Sequence, residues 1–328
     1  MPLTTMRIYG YRGFSHREEL NLAVPTGEPG SGLTLLTGPN NSGKSTVLEA
    51  LRARTSSQTL SFTQGTRNPH VDVVSLEYMV NGVSESVHSI TKGSSETVRD
   101  RFDAEMSVFS LPSRRAFSPY FSKSAWNRSQ LLNSTTLQPQ RSSTLSGFEY
   151  RLFNVLSQPD EFNRLLSRIL GYTPTWTIDQ SDQGQYFLKF FSGPHSHSSD
   201  GMGEGIISAF AIADALYDSS PGELIAIDEP ELSLHPALQK RLADVLLAYA
   251  ADRQIVVATH SPYFVNLKAL AAGAVLVRVV TGAEGTRIHQ IGDAGRAAME
   301  CLVTDNKSIP TSWDSTPGSS FSRKTAFS

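Results

Sequence analysis

Gly38-Pro39-Asn40-Asn41-Ser42-Gly43-Lys44-Ser45-Thr46 is the stretch that decides the fold. Gly38 to Ser45 fits G-x-x-x-x-G-K-[ST] without a mismatch. Directly before it, Gly32-Leu33-Thr34-Leu35-Leu36-Thr37 reads as a compact apolar strand. Directly after it, Val47, Leu48, Ala50 and Leu51 recur at helical spacing. A glycine-rich turn between a strand and a helix aims successive backbone N–H groups at one point. The helix N-terminus adds positive potential there. Lys44 is then placed to reach the β and γ phosphates of a nucleotide, and the Ser45 hydroxyl to ligate Mg²⁺.

Two further stretches have the same form, an apolar strand ending in chemistry. Leu224-Ile225-Ala226-Ile227 runs into Asp228-Glu229. Asp228 is expected to hold the Mg²⁺ shell, and Glu229 to orient and polarise an attacking water. Ile255-Val256-Val257-Ala258 runs through Thr259 into His260-Ser261-Pro262. At the carboxyl end of a strand in an open α/β sheet, His260 would face the ligand crevice. It could there hydrogen-bond a γ-phosphate or the water.

The rest of the chain supplies the frame. Met6, Ile8 and Tyr11, then Leu20, Leu22 and Val24, read as two short strands. Val71–Val80 and Val83–Ile90 flank Asn81-Gly82, a strong hairpin signal. Phe148–Leu156 and Asp160–Leu170 read as amphipathic helices, the second opened by Pro159-Asp160 and closed by Gly171. Tyr172–Ile178 and Tyr186–Phe191 form an expected hairpin around Gln183-Gly184. A helix over Ile206–Tyr217 and another from Pro236 to Ala251 alternate with the strands above. Two strands, Ala274–Val280 and Arg287–Ile291, close the pattern. Strands alternating with helices predict a largely parallel sheet in an α/β fold. The expected division is 1–95 for the first part of the head, 96–195 for an inserted, mainly helical lobe with a hairpin, 196–303 for the second part, and 304–328 for a disordered tail.

Composition bounds this reading. The 328 residues carry 29 Lys plus Arg against 31 Asp plus Glu, a net charge of -2, so no global footprint for nucleic acid exists. Charged residues make up 18%, below the ordinary value of about 25%, and Ser, Thr, Asn and Gln fill the difference. The one cysteine, Cys301, excludes a disulfide framework and a multi-cysteine metal site. His195, His197 and His235 lack the company of a metal site. No apolar run approaches the roughly 18 residues of a membrane span. The start, Met1 to Phe14, has no secretory leader pattern. A cytoplasmic protein without a membrane partner is expected.

The order of these elements, together with Ser199-Asp200-Gly201-Met202-Gly203-Glu204 and Asp228-Glu229-Pro230-Glu231-Leu232-Ser233-Leu234-His235-Pro236, resembles the ABC-type ATPase head of the RecF, SMC and OLD group. Within it the chain is similar to compact bacterial AAA family ATPases, such as the PtuA-like proteins of Septu and retron-associated phage defence. The resemblance implies a P-loop NTPase fold, ATP and Mg²⁺ as cofactors, and hydrolysis with Glu229 and the switch histidine His260 as catalytic residues. It implies that Ser199 and Gly201 act as a signature motif on the γ-phosphate of a second subunit. Glu231 to His235 would cross that interface. Arg12, in Tyr11-Arg12-Gly13-Phe14, resembles the arginine of the N-terminal strand motif. A head-to-tail homodimer around ATP follows, as does a separate effector such as a nuclease or toxin. The signature departs from the Ser-Gly-Gly-Gln of transporters, and Gln64, Gln130 and Gln138 are weak candidates for the Q-loop. A RecF-like repair ATPase acting on DNA is the alternative; a transporter subunit or a self-contained nuclease fits less well.

Residues 111–148 add a local feature. Arg114, Arg115, Lys123, Arg128 and Arg141 stand among Phe117, Tyr120, Phe121 and Trp126, with no acid before Glu149. Such a mixture suits nucleic-acid contact, a docking surface for a protein, or a solvated lobe with its own small core.

Overall fold

The computed structural model describes residues 2–55, 60–63, 65–91, 96–100, 106, 108–115, 118, 120–134, 147–199 and 202–291. In chain order the elements are β1 (Leu3–Tyr9), β2 (Glu18–Asn21), β3 (Leu33–Thr37), α1 (Lys44–Thr55), β4 (Ser75–Val80), β5 (Val83–Ser89), β6 (Thr97–Asp100) and β7 (Val108–Leu111). There follow α2 (Arg128–Ser134), α3 (Phe148–Ser157), α4 (Pro159–Leu170), β8 (Thr175–Gln180), β9 (Tyr186–Ser192) and β10 (His195–Ser198). The last group is α5 (Glu204–Tyr217), β11 (Leu224–Asp228), α6 (Pro236–Tyr249), β12 (Gln254–Ala258), α7 (Leu267–Ala271), β13 (Val275–Gly282) and β14 (Gly285–Gln290).

The central sheet has six strands in the order β14-β13-β3-β12-β11-β7. All neighbours are parallel except the β13–β14 hairpin. Parallel strands are covered on both faces, which is why β11 and β12 are near-continuous apolar runs. The period of two then sorts side chains between two cores. Leu33, Leu35, Phe109, Leu111, Ile225, Ile227, Ile255 and Val257 enter one core, which α3 to α6 and the β8–β9 hairpin complete. Leu36, Val108, Leu224, Ala226, Val256, Ala258 and Val277 enter the other. That second core is closed by α1 and by the five-stranded antiparallel sheet β2-β1-β4-β5-β6. No helix among the described residues is long and apolar enough to cross a membrane.

Local chemistry fixes the connections. Asn81 and Gly82 take φ of 50° and 77°, the left-handed pair that a tight hairpin requires, and pair Val80 with Val83. Pro159 opens α4, Asp160 and Glu161 sit in its first turn, and Gly171 ends it at φ 82°. Arg241 then caps it by donating to the Leu170 carbonyl at 2.8 Å.

The expected insertion over 96–195 differs from what the chain builds. β6 extends the antiparallel sheet, with Ser86 opposite Asp100. β7 is an edge of the central sheet, with Ile225 beside Phe109. α3 and α4 share one core with β3, β11 and β12 rather than forming a separate lobe. β6 and β7 are only four residues each, too short to display periodicity in a Ser-rich stretch. β10, at the edge of a three-stranded sheet with β9 and β8, was equally invisible. The expected tail at 304–328 lies outside the described residues.

Candidate nucleotide site

All parallel strands of the central sheet end on one edge, and the three sequence motifs meet there. Gly38 leaves β3 at φ 146°, and a Cβ on it would lie 2.1 Å from the Val279 carbonyl oxygen, so only glycine fits. Asn41 turns the loop with φ 61°. Pro39, Asn40 and Asn41 form the exposed crest, while Ser42, Lys44 and Thr46 are buried behind it. The β13–β14 hairpin props the loop from below. Thr281 donates its hydroxyl to the Ser42 carbonyl at 3.0 Å, and Thr286 lies against Gly43.

Lys44 is the first residue of α1. Its ammonium donates to the Gly38 and Pro39 carbonyls, both at 3.0 Å, and stands 2.9 Å from Nε2 of His260. Lysine has only donors, so Nε2 is the acceptor in that contact. Burial lowers the Lys44 pKa, and Glu229, Asp228 and Glu231 oppose the shift.

Asp228 closes β11 and takes a hydrogen bond from the Ser45 side chain. Burial pushes its carboxyl up to about 6, against that bond and the charges of Arg115 and Lys44. Its Oδ1 is buried without a hydrogen-bond partner, and so is Oε2 of Glu231. A buried carboxylate oxygen with no donor, facing a serine hydroxyl across a phosphate loop, is a donor set short of a hard cation. The residues fit Mg²⁺, with Ser45 and Asp228 as its protein ligands.

Glu229 follows in a left-handed conformation, φ 46°, and its N–H donates to the Ala258 carbonyl at 2.8 Å. That turn directs its carboxylate to within 3.7 Å of Nε2 of His260. Glu231 accepts the backbone N–H of His260 at 2.5 Å, so the segment after β11 holds the segment after β12. Lys44, Ser45, Asp228, Glu229 and His260 thus form one cluster. His235, further along, serves as the N-cap of α6.

Other expected site residues stand elsewhere. Arg12 is paired with Glu49 on α1 and lies over the Tyr11 ring. Ser199 is buried, and among the described residues it makes no hydrogen bond or ion pair to the phosphate loop. Gly201 lies outside the described residues, as do Gln64, Gln138, Arg141 and Cys301. Gln130 is on α2 and exchanges hydrogen bonds with Asn127. α5, which begins just after the signature stretch, is tied to the Asp228–His235 segment by Ser233, whose hydroxyl donates to Glu204 at 2.8 Å.

The basic, aromatic stretch is corrected most. Arg115 is buried: Nε donates to Ser208 at 2.8 Å, Nη1 to the Pro112 and Asp228 carbonyls at 2.7 and 2.8 Å, and Nη2 to the Glu229 carbonyl at 2.8 Å. Burial lowers its pKa to about 10, so it stays a cation at neutral pH. Arg128 pairs with Glu223 at 3.3 Å and lies over the Phe109 ring. Trp126 packs on Tyr150, and Phe121 on Tyr150 and Phe153. Only Arg114 and Lys123 of the four expected nucleic-acid contacts are exposed. Phe121 is core and Trp126 is half-buried against it, while Tyr120 is exposed and Phe117 lies outside the described residues; Arg115 and Arg128 serve internal acceptors. Arg115 is the site residue that sequence reading missed as such; its one signal was Leu111-Pro112, the end of an unnoticed strand.

The family model described as "AAA domain, putative AbiEii toxin, Type IV TA system" matches residues 33–266, from β3 through His260. No curated protein matches the chain. Solved structures similar to it include SMC heads. The SMC head domain from Thermotoga maritima is 14% identical, with a TM-score of 0.50 over 89% of this chain and 100% of that one. An Smc head bound to the C-winged helix domain of ScpA is 13% identical, with a TM-score of 0.54 over 92% and 100%. An Smc head with an extended coiled coil, bound to the C-terminal domain of ScpA derived from Pyrococcus furiosus, is 12% identical, with a TM-score of 0.58 over 93% and 99%. At these identities the likeness speaks for the fold, a P-loop NTPase of the ABC and SMC type. With more than half of its length matched by the family model and its motifs gathered at one sheet edge, the chain belongs to this AAA domain family.

Proposed function

We propose that this chain is an ATP-binding and hydrolysing switch. Two copies would close head-to-tail around ATP and so regulate a partner effector, a nuclease or toxin, in bacterial phage defence. The observation that carries the reading is the single cluster of Lys44, Ser45, Asp228, Glu229 and His260 at the carboxyl edge of the sheet.

The chemistry follows from the residues. Lys44 exchanges its carbonyl and imidazole contacts for the β and γ phosphates of ATP. The loop N–H groups and the α1 N-terminus take the remaining oxygens. Ser45 and Asp228 would hold Mg²⁺, which supplies charge neutralisation at the phosphate oxygens. Glu229 holds the attacking water in line and accepts its proton; His260, freed from Lys44, donates to the γ-phosphate or the water. Leu232, Tyr263 and Leu267 stand 42%, 48% and 49% exposed on the segments that leave the site, apolar side chains that a second copy carrying the signature residues Ser199 and Gly201 would cover. Two of the similar Smc heads are bound to a ScpA domain, which supports docking of a partner domain on a head of this fold.

Calorimetry and light scattering test the proposal. Lys44→Ala should lose ATP binding. Glu229→Gln should hold ATP with Mg²⁺ and accumulate as a dimer. Unchanged affinity in the first variant removes the phosphate-site assignment; a monomeric second variant in saturating ATP removes the sandwich.

A further inference from the structure

Arg115 makes four hydrogen bonds from one buried guanidinium, and three of them reach parts of the molecule far apart in sequence. Nη1 and Nη2 donate to the consecutive carbonyls of Asp228 and Glu229, both at 2.8 Å. Nε donates to Ser208, on the second turn of α5, at 2.8 Å. The fourth bond, to Pro112, anchors the side chain to the end of its own strand, β7. We propose that Arg115 is the positioning residue of the hydrolytic site, which sets the Asp228–Glu229 turn and couples it to α5.

The physical case rests on Glu229. A non-glycine residue at φ 46° is strained and keeps that conformation only where its surroundings over-determine it. The Ala258 carbonyl holds the N–H side of the turn, and Arg115 holds the two carbonyls on the other side. A planar fork of fixed geometry suits two adjacent carbonyls; a flexible point charge such as lysine does not. Arg115 contacts main chain and Ser208 rather than the Glu229 carboxylate, so it acts through the direction in which that carboxylate leaves the backbone. The tie to α5 gives the arrangement a second use. α5 opens with Glu204, just beyond the signature stretch, and is joined to the same turn region by Ser233 and by Arg115. A shift of α5 when a nucleotide engages that stretch is carried by the guanidinium to Glu229. This inference rests on the reading that the site hydrolyses ATP.

Steady-state kinetics with ATP and Mg²⁺, beside calorimetric ATP binding, provide the test. In Arg115→Lys and Arg115→Ala, kcat should fall about 10²-fold, the scale of a 1 Å misplacement of a reacting group. KM and ATP stoichiometry should stay within about twofold of wild type, because Lys44 and the loop are untouched. Millimolar guanidinium should restore part of the kcat lost in Arg115→Ala. Ser208→Ala, which keeps both carbonyl bonds, should lower kcat several-fold at unchanged KM. A merely structural arginine would instead lower binding stoichiometry and rate together, and that result overturns the inference. So does an unchanged kcat in either Arg115 variant. If both Arg115 variants fail to fold, Ser208→Ala decides, and an unchanged kcat there is fatal. A wild-type chain that binds ATP without hydrolysing it removes the parent reading instead, before any variant is compared.

Discussion

Two of the regions that bury charge in this molecule treat it in opposite ways. On the α3–α5 face, Arg151 is clasped by Asp214 at 3.0 Å and Asp218 at 2.7 Å, with every charged end of the triad engaged. At the carboxyl edge of the central sheet, Asp228 and Glu231 each keep a buried oxygen without a donor, and Glu229 and Ser233 sit at positive φ. The first region is complete as folded. The second leaves carboxylate oxygens free for a hard cation such as Mg²⁺, which suits the binding of phosphate beside it. Unsatisfied burial and strain mark a site where the protein is built for a state other than the empty one.

Breaking the satisfied region should have the largest effect on stability. Arg151→Ala leaves Asp214 buried beside Asp218 without its hydrogen-bonded counter-charge, only Arg128 still opposing the two carboxylates, at a cost of about 3–5 kcal/mol in denaturant unfolding. ATP affinity of the folded fraction should not change. Breaking the unsatisfied region should do the reverse. Glu229→Gln should lower kcat about 10²-fold or more with a melting temperature close to wild type, in single-turnover and thermal assays respectively.

Asp228→Asn sharpens the contrast, since it should stabilise the ligand-free chain while removing Mg²⁺-dependent turnover. The sign follows from its pKa, which burial raises to about 6 from an ordinary carboxylate value. Between about pH 4 and 6 the folded chain holds a proton that the unfolded chain has released, so the wild type loses stability as pH rises through that window. The advantage of Asp228→Asn should be about 1–3 kcal/mol at pH 7 and should vanish near pH 4, by urea unfolding. The smallest effect belongs to the exposed pair Arg7–Glu19 on the antiparallel sheet. Arg7→Ala should change stability by less than about 1 kcal/mol.

Legibility in the sequence followed the same divide. Long-range geometry that ends in a local motif was readable: the phosphate loop, the apolar runs before Asp228 and His260, and the Asn81-Gly82 hairpin all carry their signals within about ten residues. β6 and β7 were not readable, because four residues cannot show a period and their pairing partners lie elsewhere in the chain. Arg115 and Arg128 were misread for a related reason. A cation looks like a surface group until the carbonyls and carboxylates that enclose it are known, and those arrive from β11 and α5. Arg12 was expected at the nucleotide from the family resemblance alone; its partner Glu49, across the chain on α1, had no signal in the sequence.

The strand order of the central sheet has a consequence for synthesis. The antiparallel sheet is closed by residues 3 to 100, so its contacts form early as the chain emerges. β3, which carries the phosphate loop, lies between β12 and β13, both more than 200 residues later. Gln254, at the start of β12, also bonds the Leu3 backbone and the Ala23 carbonyl. Until the ribosome has passed β12, β3 therefore has neither of its neighbours, and until it has passed β13 the loop that follows β3 has no Val279 to lean on. A nascent chain stalled before that point holds an apolar strand and a nucleotide loop without a floor. Acquisition of nucleotide binding by staged truncations should consequently come in one late step, at the length where β13 is complete.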